Sequence, residues 1–261
     1  MTETLTFATG PVMLDDDGEE LRLKVADRLA TELGEPVSAK ACTSYAELAE
    51  LCANEASFVA WLPPAIFVRA DERVGLRLLA EVERLNGSGY RGVLFVPADS
   101  TINRIEDLED TRVAWVDRDS CAGHLYPKLE LRERRLEPKS LFSAERFEGS
   151  HLAVVRAVQE GRVDVGATHA QTNVGKDSVM LAGWAPYVGL DAMRPVLVTR
   201  AIPADAIAAP RTLDKGIAAR VQRVLLALHE TDPDLLDELF GATKLKGGDP
   251  AHYEPVRAAM K

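Results

Sequence analysis

Cysteine is scarce in this chain, with three residues, Cys42, Cys52 and Cys121. An odd count without paired spacing excludes a disulfide framework and a cysteine zinc site, and predicts reduced, mostly buried thiols. Long apolar runs are missing too. No window approaches the ~18 consecutive apolar residues of a bilayer-spanning helix and no lipidation motif is present, so no membrane insertion is expected. Positive charge is short, with 31 Lys and Arg against 41 Asp and Glu for a formal charge of −10. The basic residues are scattered, which excludes a nucleic-acid footprint and leaves any bound anion to be captured locally, against the overall field. The five histidines stand apart from the acidic residues at ligand spacing. Asp15-Asp16-Asp17 reads as a solvated loop rather than a cation site, so neither a metal nor a cofactor is expected. The first residues, Met1 to Phe7, lack a basic and an apolar leader segment. As written the chain is expected in the cytoplasm, or in the periplasm if a leader has been removed.

What is present is an ordinary globular share of apolar residues, 46% of 261, enough for one large domain or two lobes. Strand and helix patterns alternate. Residues 5–9 alternate as a strand, and Leu21, Val25 and Leu29 trace a helix face ending at Gly34. Ser44 with Glu47 forms a capping box for a helix that buries Leu48 and Leu51, with Tyr45 just inside the cap. The unbroken apolar run 58–62 predicts a doubly covered strand stopped by Pro63-Pro64. Gly87-Ser88-Gly89 is a composition break leading into a long strand over 90–96, read as a crossing between lobes. A strand over 112–116 precedes a helix over 124–136 with Pro127 near its start. Ser150 caps a helix closed by Gly161, and residues 163–167 form a short strand ending at Thr168-His169. Strands run again over 195–199, and the remainder is helical. The pattern predicts α/β lobes with largely parallel sheets, whose ligands sit beyond the carboxyl ends of the strands.

One stretch stands out. Val113 to Pro127 reads as a buried strand, a polar turn and a helix start, which gathers backbone N–H groups and partial positive charge at one point. Ser120, Cys121, Ala122 and Gly123 occupy that turn. An ordinary strand-to-helix connection has the same form, so this stretch by itself assigns no ligand.

In order along the chain, residues 90–100 and 108–117, then Gly149-Ser150-His151, Val163-Asp164-Val165-Gly166-Ala167-Thr168, Ile202-Pro203-Ala204-Asp205 and Tyr253-Glu254-Pro255-Val256-Arg257 resemble the phosphonate/phosphite/phosphate-type solute-binding proteins of ABC importers. The resemblance covers nearly the whole chain. It implies a type II periplasmic-binding-protein fold of two α/β lobes joined by two crossover strands. Lobe one would comprise residues 1–88 and 190–261, and lobe two residues 89–189. It also implies that a small oxyanion, phosphonate- or phosphate-like, is held without catalysis in an interlobe cleft by a Ser-Thr-Ser-Gly run, a His after Gly-Ser, and two tyrosines. Carried over, these are Ser120, Cys121, Ala122 and Gly123, then Ser150 and His151, with Tyr45 and Tyr90. The partner implied is an ABC permease.

Cys121 and Ala122 replace two hydroxyl residues, which removes one good donor and leaves a weak one. Each lost contact to an anion is worth roughly 1.5–3 kcal/mol unless something compensates. Asp205 matches an acidic residue used by aminophosphonate-binding relatives, whereas Thr172 stands where a Glu is expected. His169, at a strand's carboxyl end, is a weaker ligand candidate. A cytoplasmic sensor that binds a signalling protein, and an enzyme on the same fold, stay open as alternatives. For the enzyme, Cys121 at a helix start with His124 nearby is the one nucleophile-and-base arrangement in sight.

Overall fold

The computed structural model describes residues 4–11, 14–84, 90–172 and 179–260, with Met180 described by its backbone alone. The predicted crossing at Gly87-Ser88-Gly89 lies outside the described residues. In chain order the elements are β1 (Leu5–Thr9), α1 (Asp16–Leu33), β2 (Val37–Ala41), α2 (Tyr45–Asn54), β3 (Phe58–Leu62), α3 (Pro64–Val74) and β4 (Leu76–Glu83). There follow β5 (Arg91–Pro97), β6 (Arg112–Trp115), α4 (Tyr126–Glu133), α5 (Pro138–Leu141), β7 (Ala144–Phe147), α6 (His151–Gln159), β8 (Val165–Thr172), β9 (Val179–Ala182), α7 (Ala185–Val188) and β10 (Met193–Ala201). The chain ends with β11 (Ala206–Pro210), α8 (Lys215–Thr231), α9 (Pro233–Phe240), β12 (Lys244–Lys246) and α10 (Glu254–Ala259).

The chain divides into two compact units, Met1–Gly87 with Pro203–Arg257, and Ser88–Ile202 with Ala258–Lys261. This moves the lobe boundary read from sequence at residue 190. β10 pairs antiparallel with β5 along Met193 to Ala201 and so belongs to unit two, and the last residues return to that unit.

Unit one is a sheet in the order β12-β4-β11-β3-β1-β2. Its core forms where Leu21, Val25 and Leu29 of α1 meet Phe7 and Val59 of the sheet, together with Val221, Leu225, Leu236 and Phe240. α1 starts where it does because Asp15 accepts a hydrogen bond from the Gly18 N–H at 3.0 Å. The acidic run expected to be a solvated loop is thus an N-cap and first turn, where carboxylates offset the helix dipole. Pro63-Pro64, expected only to stop β3, also opens α3. A proline in the first turn loses no hydrogen bond, because that N–H has no helical acceptor anyway.

Unit two is a sheet in the order β10-β5-β8-β6-β7, with β9 paired to β8. Apolar clusters cover both faces: Val93, Phe95 and Val116 with Val154, Val155 and Val158 of α6 on one, and Leu94, Val96, Val113 and Trp115 with Leu131 of α4 on the other. The sheets are mixed rather than largely parallel. β1 lies parallel to both β2 and β3, as β6 does to β7 and β8. Each sheet, however, also holds reversed strands: β11 between β3 and β4 with β12 on β4, and β5 between β8 and β10 with β9 on β8. Helical crossovers make neighbours parallel, but β5 and β11 each begin just after the chain changes unit, where no such crossover dictates direction.

Candidate functional site

β6, β7 and β8 run in the same direction, so their carboxyl ends share one edge of unit two. The turn after β6 is stitched to that edge. Val116 N–H donates to the Gly123 carbonyl at 3.1 Å, Gly149 N–H to the Val116 carbonyl at 2.8 Å, and Glu148 N–H to the Trp115 carbonyl at 3.0 Å. The Ser120–Gly123 turn and the Gly149-Ser150 approach to α6 therefore lie on either side of one residue, Val116.

Ser120 caps a π-helical turn over Cys121–Leu125, its hydroxyl accepting from the Gly123 N–H at 3.0 Å. The predicted helix over 124–136 is thus two pieces, this wide turn and then α4. Pro127 explains the widening. It has no N–H to give the Gly123 carbonyl four residues back, and that carbonyl is taken by Val116 instead. Single π turns are frequent at functional sites. The turn is also tightly packed. A Cβ at Gly123 would lie 2.4 Å from Val116 Cγ2 and 2.9 Å from Ser120 Oγ, and one at Gly92 of β5 would lie 2.8 Å from the Ala122 carbonyl. Ser120, Cys121 and Ala122 are buried.

α6 opens similarly, with Ser150 Oγ accepting from Ala153 N–H at 3.1 Å and His151 first inside the cap. The first-turn N–H groups of any helix lack intrahelical acceptors and carry its positive dipole end. His151 Nδ1 lies 2.8 Å from the hydroxyl of Thr168, a fully buried residue of β8. His151 as a whole is only partly buried, yet desolvation, assisted by His169 beside it, pushes its imidazole down to about 3. It therefore stands at this edge as a neutral ring, and only one of its nitrogens carries a proton. His169 meets it edge to face, ring centroids 4.7 Å apart.

His124 engages the backbone through one nitrogen. Its Nδ1 lies 2.9 Å from the Arg118 carbonyl, which can only accept, so Nδ1 carries the proton. Its Nε2 is buried without a hydrogen-bond partner. Neither nitrogen bonds the Cys121 thiol, and a nucleophile needs its base within hydrogen-bond reach. Burial pushes this imidazole down to about 4, between the rings of Trp115 and Phe147. None of the three buried cysteines is in a disulfide, and burial raises Cys42 to about 11 and Cys52 to about 12.

The remaining predicted residues divide between the units. Tyr90 is in unit two, its carbonyl accepting from Ile202 N–H at 2.8 Å. Tyr45 is in unit one, first in α2, with its ring over Gly10: a Cβ there would meet Tyr45 Cε1 at 3.6 Å. Asp205 is in unit one as well, and its carboxylate has a partner of its own, Arg84 at 3.0 Å. Thr172 accepts from Arg91 Nε at 3.1 Å, and the same guanidinium donates to the Thr199 carbonyl at 2.6 Å. Of the residues named from sequence, the structure thus places Ser120, Cys121, Ala122, Gly123, Ser150 and His151 along one edge of unit two, and the sequence reading rested on neighbours within each motif. It missed Thr168 as the support of His151, because a threonine within a strand, here the fourth residue of β8, carries no signal of the ring that will dock on it.

A model of the family "ABC transporter, phosphonate, periplasmic substrate-binding protein" matches residues 7–253, and the chain belongs to that family. Its α/β fold is that of solved periplasmic binding proteins. The binding-protein component of an ABC phosphonate transporter from Pseudomonas aeruginosa superposes with a TM-score of 0.78 at 16% identity, over 98% of this chain and 86% of that one. XAC2383 from Xanthomonas citri, solved with ATP, gives 0.77 at 19% identity, over 98% and 95% of the two chains. PhnD1 from Prochlorococcus marinus, solved with methylphosphonate, gives 0.75 at 17% identity, over 98% and 96%.

Proposed function

We propose that this protein is a non-catalytic binding protein for a small oxyanion of the phosphonate or phosphate type, serving an ABC importer. The observation that carries this reading is the meeting of the Ser120–Gly123 turn with Gly149-Ser150-His151 around Val116, at the shared carboxyl edge of β6, β7 and β8. Backbone N–H groups and neutral donors gathered at one point suit an anion in a chain of net charge −10, because the attraction is local. Ser120, Gly123 and His151 are the principal contacts in this reading, with the backbone of Cys121 and Ala122 replacing the hydroxyls those positions lack. Tyr90, in the same unit, adds a phenolic donor. Asp205 serves Arg84.

Family membership supports a permease as partner. The methylphosphonate held by the Prochlorococcus protein and the ATP held by the Xanthomonas protein share a tetrahedral phosphorus oxyanion. That is the chemistry proposed here. No observation favours the sensor, and the engagement of His124 Nδ1 with the Arg118 carbonyl counts against thiol catalysis. Isothermal titration with phosphate, phosphite, methylphosphonate, ATP, sulfate and a simple carboxylate tests the reading. Saturable heat with at least one phosphorus oxyanion, lost in His151→Ala with the fold retained, is the expected result. Absence of heat with all of them would sink it.

A further inference from the structure

His169 is the anomaly of β8. Its strand neighbours Ala167, Thr168 and Ala170 are fully buried, while His169 alone in that run is exposed. Thr168 bonds His151 through its hydroxyl, and His169, the next residue, is the register partner of Gly92 of β5. Gly92 has no side chain, and the space beside it is filled by the Ala122 carbonyl of the π turn. His169 is thus one strand over from the glycine on which the Ser120–Gly123 turn packs, and its ring meets that of His151 at an interplanar angle of 85°.

A second feature shows that this pair is built. Gly183, just after β9, donates its N–H to the His169 carbonyl at 2.9 Å. A Cβ at Gly183 would sit 2.2 Å from Thr168 Oγ1, 3.0 Å from His169 Cε1 and 3.1 Å from His169 Nδ1. Only glycine lets the backbone lie against both residues at once. Thr168, His169 and Gly183 thus fix one imidazole by a hydrogen bond and the other by close packing, with ring planes nearly perpendicular. Such rings direct their N–H bonds along different axes, which matches the spread oxygens of a tetrahedral oxyanion better than the two coplanar oxygens of a carboxylate.

We propose that His169 is a second ligand-contacting imidazole, paired with His151, which selects a tetrahedral oxyanion over a planar carboxylate. The proposal rests on the oxyanion reading above and deepens it by naming a specificity-determining residue that the Ser-His motifs do not include.

The test is titration of phosphate, methylphosphonate and acetate into the full chain and into His169→Phe, His169→Asn and Gly183→Ala. Phenylalanine keeps the edge-to-face contact on His151 and removes the donor; asparagine keeps a donor on a shorter arm. The expected result is a loss of phosphate affinity of about ten- to a hundredfold in His169→Phe, the scale of one hydrogen bond to an ion, with partial recovery in His169→Asn. The melting temperature of both should stay within a few degrees of wild type. The preference for phosphate over acetate should shrink in His169→Phe and in Gly183→Ala, which displaces the pair. Phosphate binding by His169→Phe equal to wild type, or an unchanged preference over acetate, overturns this proposal alone. A wild type that binds none of the three overturns the oxyanion reading and this proposal with it.

Discussion

Gly123→Ala places one methyl group where the turn has no room. The new Cβ would fall 2.4 Å from Val116 Cγ2, 2.6 Å from Val116 Cβ and 2.9 Å from Ser120 Oγ, against a normal carbon contact of roughly 3.5–4.0 Å. Val116 cannot step aside. It is β-branched and thus stiff at χ1, 2% exposed and packed in the cluster with α6. Its own N–H is tied to the Gly123 carbonyl. The strain must be relieved by moving the π turn, which pulls the Gly123 N–H off Ser120 Oγ. Overpacking of this kind costs about 1–3 kcal/mol, or a fall of about 2–12 °C in the melting of unit two at about 2–4 °C per kcal/mol. Affinity for a phosphorus oxyanion should fall at least about tenfold if one charge-assisted contact is lost. Val116→Ala by itself should cost about 1–3 kcal/mol by leaving a gap. The double variant Gly123→Ala/Val116→Ala should be more stable than the two separate losses add up to, by about 1 kcal/mol or more, because the second change removes the clash. Calorimetry and titration on the four proteins complete the cycle. Strictly additive losses, or a Gly123→Ala protein with wild-type melting and affinity, would refute the account of the turn.

Three further outcomes are expected. His124 has an ordinary value of 6.5 and a folded value of about 4, so between these the unfolded chain binds a proton that the folded chain refuses. That stability is complete above about pH 6.5 and is lost as pH falls toward 4, by about 2 kcal/mol at pH 5. Denaturant melts of His124→Phe should be flatter with pH than wild type, and an equally steep wild-type and variant curve would place the titration elsewhere. Asp205→Asn should lower the stability of unit one by about 1–3 kcal/mol by removing the carboxylate that pairs with Arg84, with phosphate affinity changed less than about threefold; intact stability with lost affinity would give the carboxylate to the ligand. Cys121→Thr with Ala122→Ser should raise phosphate affinity about tenfold if ~1.4 kcal/mol of hydrogen bonding is recovered, and no gain on titration would mean that those side chains do not face the ligand.

Much of the molecule was legible before any coordinates. Periodicity, caps and breakers are local, and so α1, α2, β3, α6 and α8 stand close to where their patterns put them. The ordered motifs pointed to the family, and the Ser120 and Ser150 caps formed as their spacing requires. What the chain alone did not disclose was non-local. The reversal of β5 and β11 is a matter of which strands they lie between, β8 and β10 for one and β3 and β4 for the other, and no residue within either strand encodes direction. The counter-charge of Asp205 is Arg84, 121 positions away in sequence, which no local pattern announces. His169 looked like an ordinary strand-end residue, because its meaning lies in His151, Gly92 and Gly183, which reach it only through strand register and chain return. Sequence determined the elements and the chemistry on offer at each turn, since both follow from neighbours within a few bonds. Tertiary structure alone decided which side chains keep each other company, because burial, pairing and steric room are properties of segments far apart along the chain.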